Sequence, residues 1–142
     1  IKGFSLKAPL GQREQEEIEA LPTDHKRLLK GTLMTRDLTA EGKALFESDA
    51  FDHDKFGQLL TQQQEVLRDY LQTSTPKIET MIEAALDAGA LGAKINGSGG
   101  GGCVFAYAPE NTEKVAQAIE RIESKVHIIH VDEGVRIEPT PS

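Results

Sequence analysis

The sequence has no tryptophan, two tyrosines and a single cysteine, Cys103. One thiol cannot close an internal disulfide, so stability must come from a packed core, and a reduced, cytoplasmic setting is the expectation. Basic residues are scarce as well: 16 Lys and Arg stand against 23 Asp and Glu, a net charge of −7. That balance argues against non-specific attraction to nucleic acid or to an anionic membrane surface, so any anionic ligand has to be held by local geometry. No apolar run approaches the roughly 20 residues of a membrane span. The chain opens on Ile1 without the basic and apolar stretches of a signal peptide, which reads as a processed piece or an expressed fragment. Its 142 residues suit one domain with a single core.

What is present falls into two regimes of hydrophobic spacing. From Gln12 to Leu33, Ile18, Leu21, Leu28, Leu29 and Leu33 recur at helical intervals, with Pro22 and Thr23 marking a break between two helical pieces. A short helix over Thr39 to Ser48 is expected next, begun by a threonine cap and carrying Leu45 and Phe46 on one side. Phe56, Leu59, Leu60, Gln63, Leu67, Tyr70 and Leu71 define a long amphipathic helix over Asp54 to Gln72. A further helix opens with Ser74 and Thr75 as cap candidates and Pro76 in the first turn, where its missing N–H does no harm. Ile78, Met81, Ile82, Ala85 and Leu86 form its buried stripe, and Gly89 is the expected stop.

After Gly92 the spacing shortens. "AKIN" and "CVFAYA" suit strands, Asn111 is placed to cap a helix from Thr112 to about Ser124 with Val115, Ile119 and Ile122 on one face, and "VHIIHVDEGVRIE" reads as strand, turn at Gly134, strand. The order predicts an α+β fold: a ferredoxin-like split βαβ sandwich, its mostly antiparallel sheet covered by helices, with additional N-terminal helices. The polar end, residues 138–142, is expected to be a frayed tail.

Between the two strands lies "NGSGGGG", Asn96 to Gly102. Glycine accepts positive φ and lets backbone approach another group closely, and successive N–H groups in such a loop can form an anion-holding concavity. A ligand-free flexible hairpin is the plain alternative. Against it stands entropy: four glycines in a row lose more backbone freedom on ordering than a tight turn requires, so a close approach to a ligand or to another backbone should offset the loss. Two phosphate loops do not fit. A Walker loop needs Lys and Ser or Thr after its last glycine, whereas Cys103, Val104 and Phe105 follow Gly102; a dinucleotide fingerprint needs a helix there, and a strand follows.

"GAKINGSGGGGC" resembles the third glycine-rich motif of the GHMP kinases, the superfamily named for galactokinase, homoserine kinase, mevalonate kinase and phosphomevalonate kinase. The resemblance covers about Asp24 to Ile137 and is strongest over "FGQLLTQQQEVLRDYLQTSTPKIETMIEAALDAGALGAKINGSGGGGC", which has the layout of a galactokinase-like C-terminal half; "VDEGVRI" is similar too. It implies an ATP- and Mg2+-dependent kinase acting on a monosaccharide. The Ser-rich phosphate loop and the sugar-binding segment of such enzymes have no counterpart here, so the resemblance implies an N-terminal half as partner and a fragment that holds no cofactor alone. Asn96, Gly97, Ser98, Gly99, Gly100, Gly101 and Gly102 would then complete the cleft over phosphates and acceptor, with Ser98 adding a hydroxyl donor, and no catalytic residue would lie in this chain. Galactokinases commonly place an aromatic residue within the glycine run and a Thr before it, where this chain has Gly100 or Gly101 and Asn96. The unbroken glycines are closer to mevalonate kinases and heptose-type kinases, which stand as the alternative acceptor classes. A free-standing ferredoxin-like binding or regulatory module is the alternative of a different kind.

The remaining polar residues have plainer readings. His25 reads as a surface or partly buried histidine, and His127 and His130, three apart in an expected strand, point to opposite faces and cannot easily share a metal. Cys103 is expected to be buried as a small apolar residue. Asp52, His53 and Asp54 read as a helix start rather than a metal site, and Glu14, Glu16, Glu17 and Glu19 as a solvated helix face.

Overall fold

A computed structural model of the chain describes residues 9–131 and Gly134. Among them are five α-helices and one antiparallel hairpin: α1 (Gln12–Glu19), α2 (Thr23–Phe46), α3 (His53–Glu65), α4 (Pro76–Asp87), β1 (Gly92–Asn96), β2 (Cys103–Tyr107) and α5 (Thr112–Glu120). A wide π-helical turn, Val66–Tyr70, continues α3, its end closed by the Leu71 N–H on the Val66 carbonyl.

The break at Pro22 is present, and α2 starts directly after it. The separate helix expected from Thr39 is not. Nothing between Leu33 and Thr39 stops a helix, so α2 runs on to Phe46, and the Thr39 hydroxyl returns to the Thr35 carbonyl within the helix instead of capping a new one. Asp52 caps α3 by accepting from the Lys55 N–H, and Thr75 caps α4 by accepting from the Ile78 N–H, with Pro76 in its first turn. Gly89 leaves α4 at φ +101°, a left-handed conformation that L side chains rarely adopt. Asn111 precedes α5 but does not cap it with its side chain, which donates to the Gly89 carbonyl and ties the start of α5 to the end of α4. That helix also ends earlier than expected, at Glu120.

In the hairpin Ala93 pairs with Ala106, Lys94 with Phe105 and Ile95 with Val104. Alternation puts Ala93, Ile95, Val104 and Ala106 on one face, where they meet Ile78, Met81, Ile82 and Ala85 of α4 and Val115 of α5 in the core. Helix α3 packs on β1 from the other side, α2 covers α3 and the π-helical turn, and α1 leans on α2. Arg27 of α2 donates to the Tyr70 carbonyl at the end of the π-helical turn.

Residues 126–131, read from sequence as a strand, pair with no other strand among the described residues, and Ile128, Ile129 and Val131 are exposed. A run rich in β-branched residues makes a strand only where a neighbour takes its N–H and C=O groups, and none of the described residues does so. The strand expected after the turn at Gly134 and the 138–142 tail lie outside the described residues. The described residues are therefore α+β with a two-stranded sheet, and the split βαβ arrangement is not seen among them.

Two glycines let α3 lie on the hairpin. A Cβ on Gly92 would come within 2.0 Å of the Gly57 carbonyl oxygen, and one on Gly57 within 2.3 Å of the Leu91 carbonyl oxygen. Neither neighbour is a flexible side chain, so the backbone itself would have to yield. Gly92→Ala is expected to lower stability by about 3 kcal/mol, as overpacking does where nothing can give way. Urea unfolding checks this, with Gly42→Ala, at an α2 position that has open space around it, as the control expected to be neutral or stabilising.

Candidate functional site

The loop from Gly97 to Gly102 joins the inner ends of the two strands. Gly97, Gly99, Gly100 and Gly101 have φ of +85°, +80°, +73° and +111°, so most of the loop runs through conformations suited to glycine. The glycines do two jobs. A Cβ at Gly99 would lie 2.4 Å from the Thr73 carbonyl oxygen, so Gly99 is bare to let the loop dock; Gly97, Gly100 and Gly101 face open space and are bare for conformation. The Gly100 N–H donates to the Thr73 carbonyl at 2.9 Å. One loop donor is thus spent on anchoring, and the others have no backbone partner among the described residues. Asn96 and Ser98 are exposed beside them.

The anchor is itself held. Thr73 directs its N–H and hydroxyl to the Leu67 carbonyl in the π-helical turn. Next to it, the Ser74 hydroxyl donates to a Glu79 carboxylate oxygen and accepts from the Gln64 amide at 3.2 Å; that amide also reaches the same Glu79 oxygen at 2.8 Å. Gln64, only 2% exposed, uses its carbonyl oxygen to accept the Ile95 N–H at 2.9 Å. Arg68 closes the outer end, 3.6 Å from Glu79, while its closer partner Asp69 raises its affinity for the proton. Gln64 and Glu79 were missed as site-supporting residues; a glutamine in a helix carries no period of its own, and its burial depends on a strand 31 positions away.

Lys94 was missed too. It alternates with the core-facing Ala93 and Ile95, so it lies on the other face of the hairpin, half-buried and three residues before the loop, with its ammonium donating to the Ile95 carbonyl. No carboxylate pairs with it among the described residues. Burial lowers its pKa. The native state therefore holds this proton less tightly than the unfolded chain does. The resulting penalty acts at neutral pH and is relieved as pH rises from the lowered value to that of an ordinary lysine.

The other candidates stay outside this constellation. Cys103 is exposed, against the expectation of burial, because it pairs with Asn96 and shares the face of Lys94 and Phe105 rather than the core face. His25 is exposed in the first turn of α2, and His127 and His130 are exposed without strand pairing. Asp52 caps α3, and His53 is hydrogen-bonded to the Tyr107 hydroxyl. Glu17 and Glu19 form surface ion pairs with Arg13 and with Lys26 and Lys30. Among the described residues no group of three or more His, Cys, Asp or Glu is placed to hold a metal ion, and no helix is long and apolar enough to cross a membrane.

Residues 43–128 match the model of the GHMP kinases C-terminal family, and the chain belongs to that family. It is 51% identical to a mevalonate kinase of Thermococcus onnurineus over 73 residues, which is 51% of this chain and 22% of that protein. It is 42% identical to a mevalonate kinase of Pyrococcus abyssi over 85 residues, 59% of this chain and 25% of that protein. The likeness to galactokinase, which the sequence reading put first, is weaker: 41% over 66 residues with the Mycobacterium bovis protein, 46% of this chain and 18% of that one. The chain thus spans a quarter or less of each of these relatives.

Replacing Gln64 by Met keeps the volume but leaves the Ile95 N–H without its acceptor. The expected loss is about 2 kcal/mol, the scale for orphaning a buried polar group. Hydrogen exchange at the Ile95 amide should accelerate with it, and unchanged exchange would show that another acceptor takes over.

Proposed function

We propose that this chain is the C-terminal domain of an ATP- and Mg2+-dependent GHMP kinase, whose glycine loop closes over the phosphates and acceptor held by an N-terminal half. The observation that carries the reading is the loop: Gly97 to Gly102 is docked on Thr73 through Gly99 and Gly100 while its remaining N–H groups have no backbone partner among the described residues. Phosphoryl transfer depends mainly on positioning and on stabilising charge, and fixed backbone donors supply both without exchanging a proton. The half-buried Lys94 ammonium adds positive charge behind the loop. The described residues suit an anion and offer no metal-ligand cluster, so we assign the Mg2+ ligands to the other half. The higher identity to mevalonate kinases and the unbroken Gly99 to Gly102 favour a mevalonate-like hydroxy acid as acceptor over a monosaccharide. In this reading α4, α5 and the hairpin are the part of a ferredoxin-like split βαβ sandwich that presents the loop.

A coupled kinase assay of the complete protein tests the acceptor: turnover is expected with mevalonate and little with galactose, and the reverse order would restore the sugar reading. Gly100→Val forces a β-branched residue to φ +73° in the exposed loop. It is expected to lower turnover at least tenfold while the protein still folds, with a stability loss of about 1–3 kcal/mol from the strained backbone. Lys94→Met is expected to do the same to turnover while raising the unfolding temperature, because it removes a charge whose burial opposes folding. Turnover left at the wild-type level in both variants would remove the loop and Lys94 from the site.

A further inference from the structure

The chain leaves the π-helical turn through Gln72, whose φ is +53°. A left-handed residue at a helix end is usually glycine, because a side chain there crowds the neighbouring carbonyl. Gln72 is exposed, so burial does not offset that strain. After it comes Thr73, with two donors on one acceptor: its N–H at 3.0 Å and its hydroxyl at 3.2 Å both reach the Leu67 carbonyl. The turn itself is closed without the hydroxyl, by the Leu71 N–H on the Val66 carbonyl. Helix α2 braces the turn, since Arg27 donates to the Tyr70 carbonyl and a Cβ on Gly31 would come within 2.6 Å of the Tyr70 Cβ. The Thr73 carbonyl in turn takes the Gly100 N–H at 2.9 Å, and a Cβ on Gly99 would lie 2.9 Å from the Thr73 Cβ.

We infer, resting on the kinase reading above, that Thr73 is a positioning residue for phosphoryl transfer, its hydroxyl fixing the carbonyl on which the glycine loop is set. Among the described residues the Gly100 N–H makes the loop's one backbone hydrogen bond to another element, so a shift of Thr73 carries the loop with it. Glycine occupies positive and negative φ alike, whereas the left-handed well of an L residue is small. Gln72 is therefore confined where a glycine would let Thr73 swing. Backbone donors act on charge that develops in the transition state, so a misplaced loop lowers kcat more than it weakens substrate binding. A plain helix stop needs none of these ties. Glu123 is such a stop: it follows α5 at φ +55°, is exposed, and its neighbours make no backbone hydrogen bond to the loop among the described residues.

The test compares variants of the complete protein by steady-state kinetics and by hydrogen exchange at the Gly100 amide. Thr73→Val keeps the branched shape and removes the hydroxyl. It is expected to lower kcat about fivefold or more with both KM values within about twofold of wild type, and to speed Gly100 exchange about tenfold. Thr73→Ser restores the hydroxyl and should recover most of both. Gln72→Gly should lower kcat without lowering the unfolding midpoint, while Glu123→Gly leaves kcat at the wild-type value. Wild-type kcat in Thr73→Val, a loss that Thr73→Ser fails to recover, or an equal loss in Glu123→Gly would overturn the proposal. Exchange is read without substrate, so a wild-type protein that transfers no phosphate would count against the kinase reading, whereas unchanged Gly100 exchange in Thr73→Val would count against the anchor.

Discussion

The outer edge of β1 is buried beneath a helix, and a strand edge in that position needs an acceptor for each inward N–H. Gln64 provides it for Ile95. The contact depends on spacing along both elements. Gly57 and Gln64 are seven residues apart, two turns on one face of α3, or about 10.5 Å at 1.5 Å per residue. Gly92 and Ile95 are three residues apart on β1, about 10 Å at strand rise. Helix and strand therefore run alongside one another in step, with bare backbone against bare backbone at one end and a side-chain amide meeting a main-chain amide at the other. A side chain at either glycine would lift the helix, and Gln64 would no longer reach.

From that contact the order passes outward to the loop. The same glutamine amide that serves β1 on one side holds Ser74 and Glu79 on the other, and Ser74 adjoins Thr73, whose carbonyl takes the Gly100 N–H. Glycine-rich loops are expensive to order. Here a single hydrogen bond and one close approach fix the middle of the run, and the residues on either side keep N–H groups without a backbone partner among the described residues. An even, multi-point anchoring would have made a stiffer loop with nothing left to offer an anion.

Local signals in the sequence were readable wherever a residue's role is set by its near neighbours. Thr75 with Pro76, Asp52, Gly89 and the glycine run belong here, because caps, stops and positive φ are decided within a turn or two. Thr39 misled because a threonine is a cap only where the helix before it has ended, and nothing ended α2. Cys103 misled because residue type says less than register: alternation from Ile95 and Val104 puts position 103 on the outer face. Gln64 and Lys94 were illegible for the opposite reason, each being a polar residue whose place is set by a distant element. For residues 126–131 the β-branched composition pointed to a strand, but composition does not supply a pairing partner.

Register is also what connects the buried side of the hairpin to its chemistry. A slip of one residue in β1 would turn Ile95 outward and drive the Lys94 ammonium into the Ile78 and Met81 cluster, which offers a charge no partner. The core thus selects the one register in which the lysine stands on the outer face and the loop emerges at Asn96. Gly92 reinforces it, because only a residue without a side chain can sit against Gly57. The packing that holds α3 to the sheet is therefore the same packing that aims Lys94 and the glycine loop, and neither can be relaxed without misplacing the other.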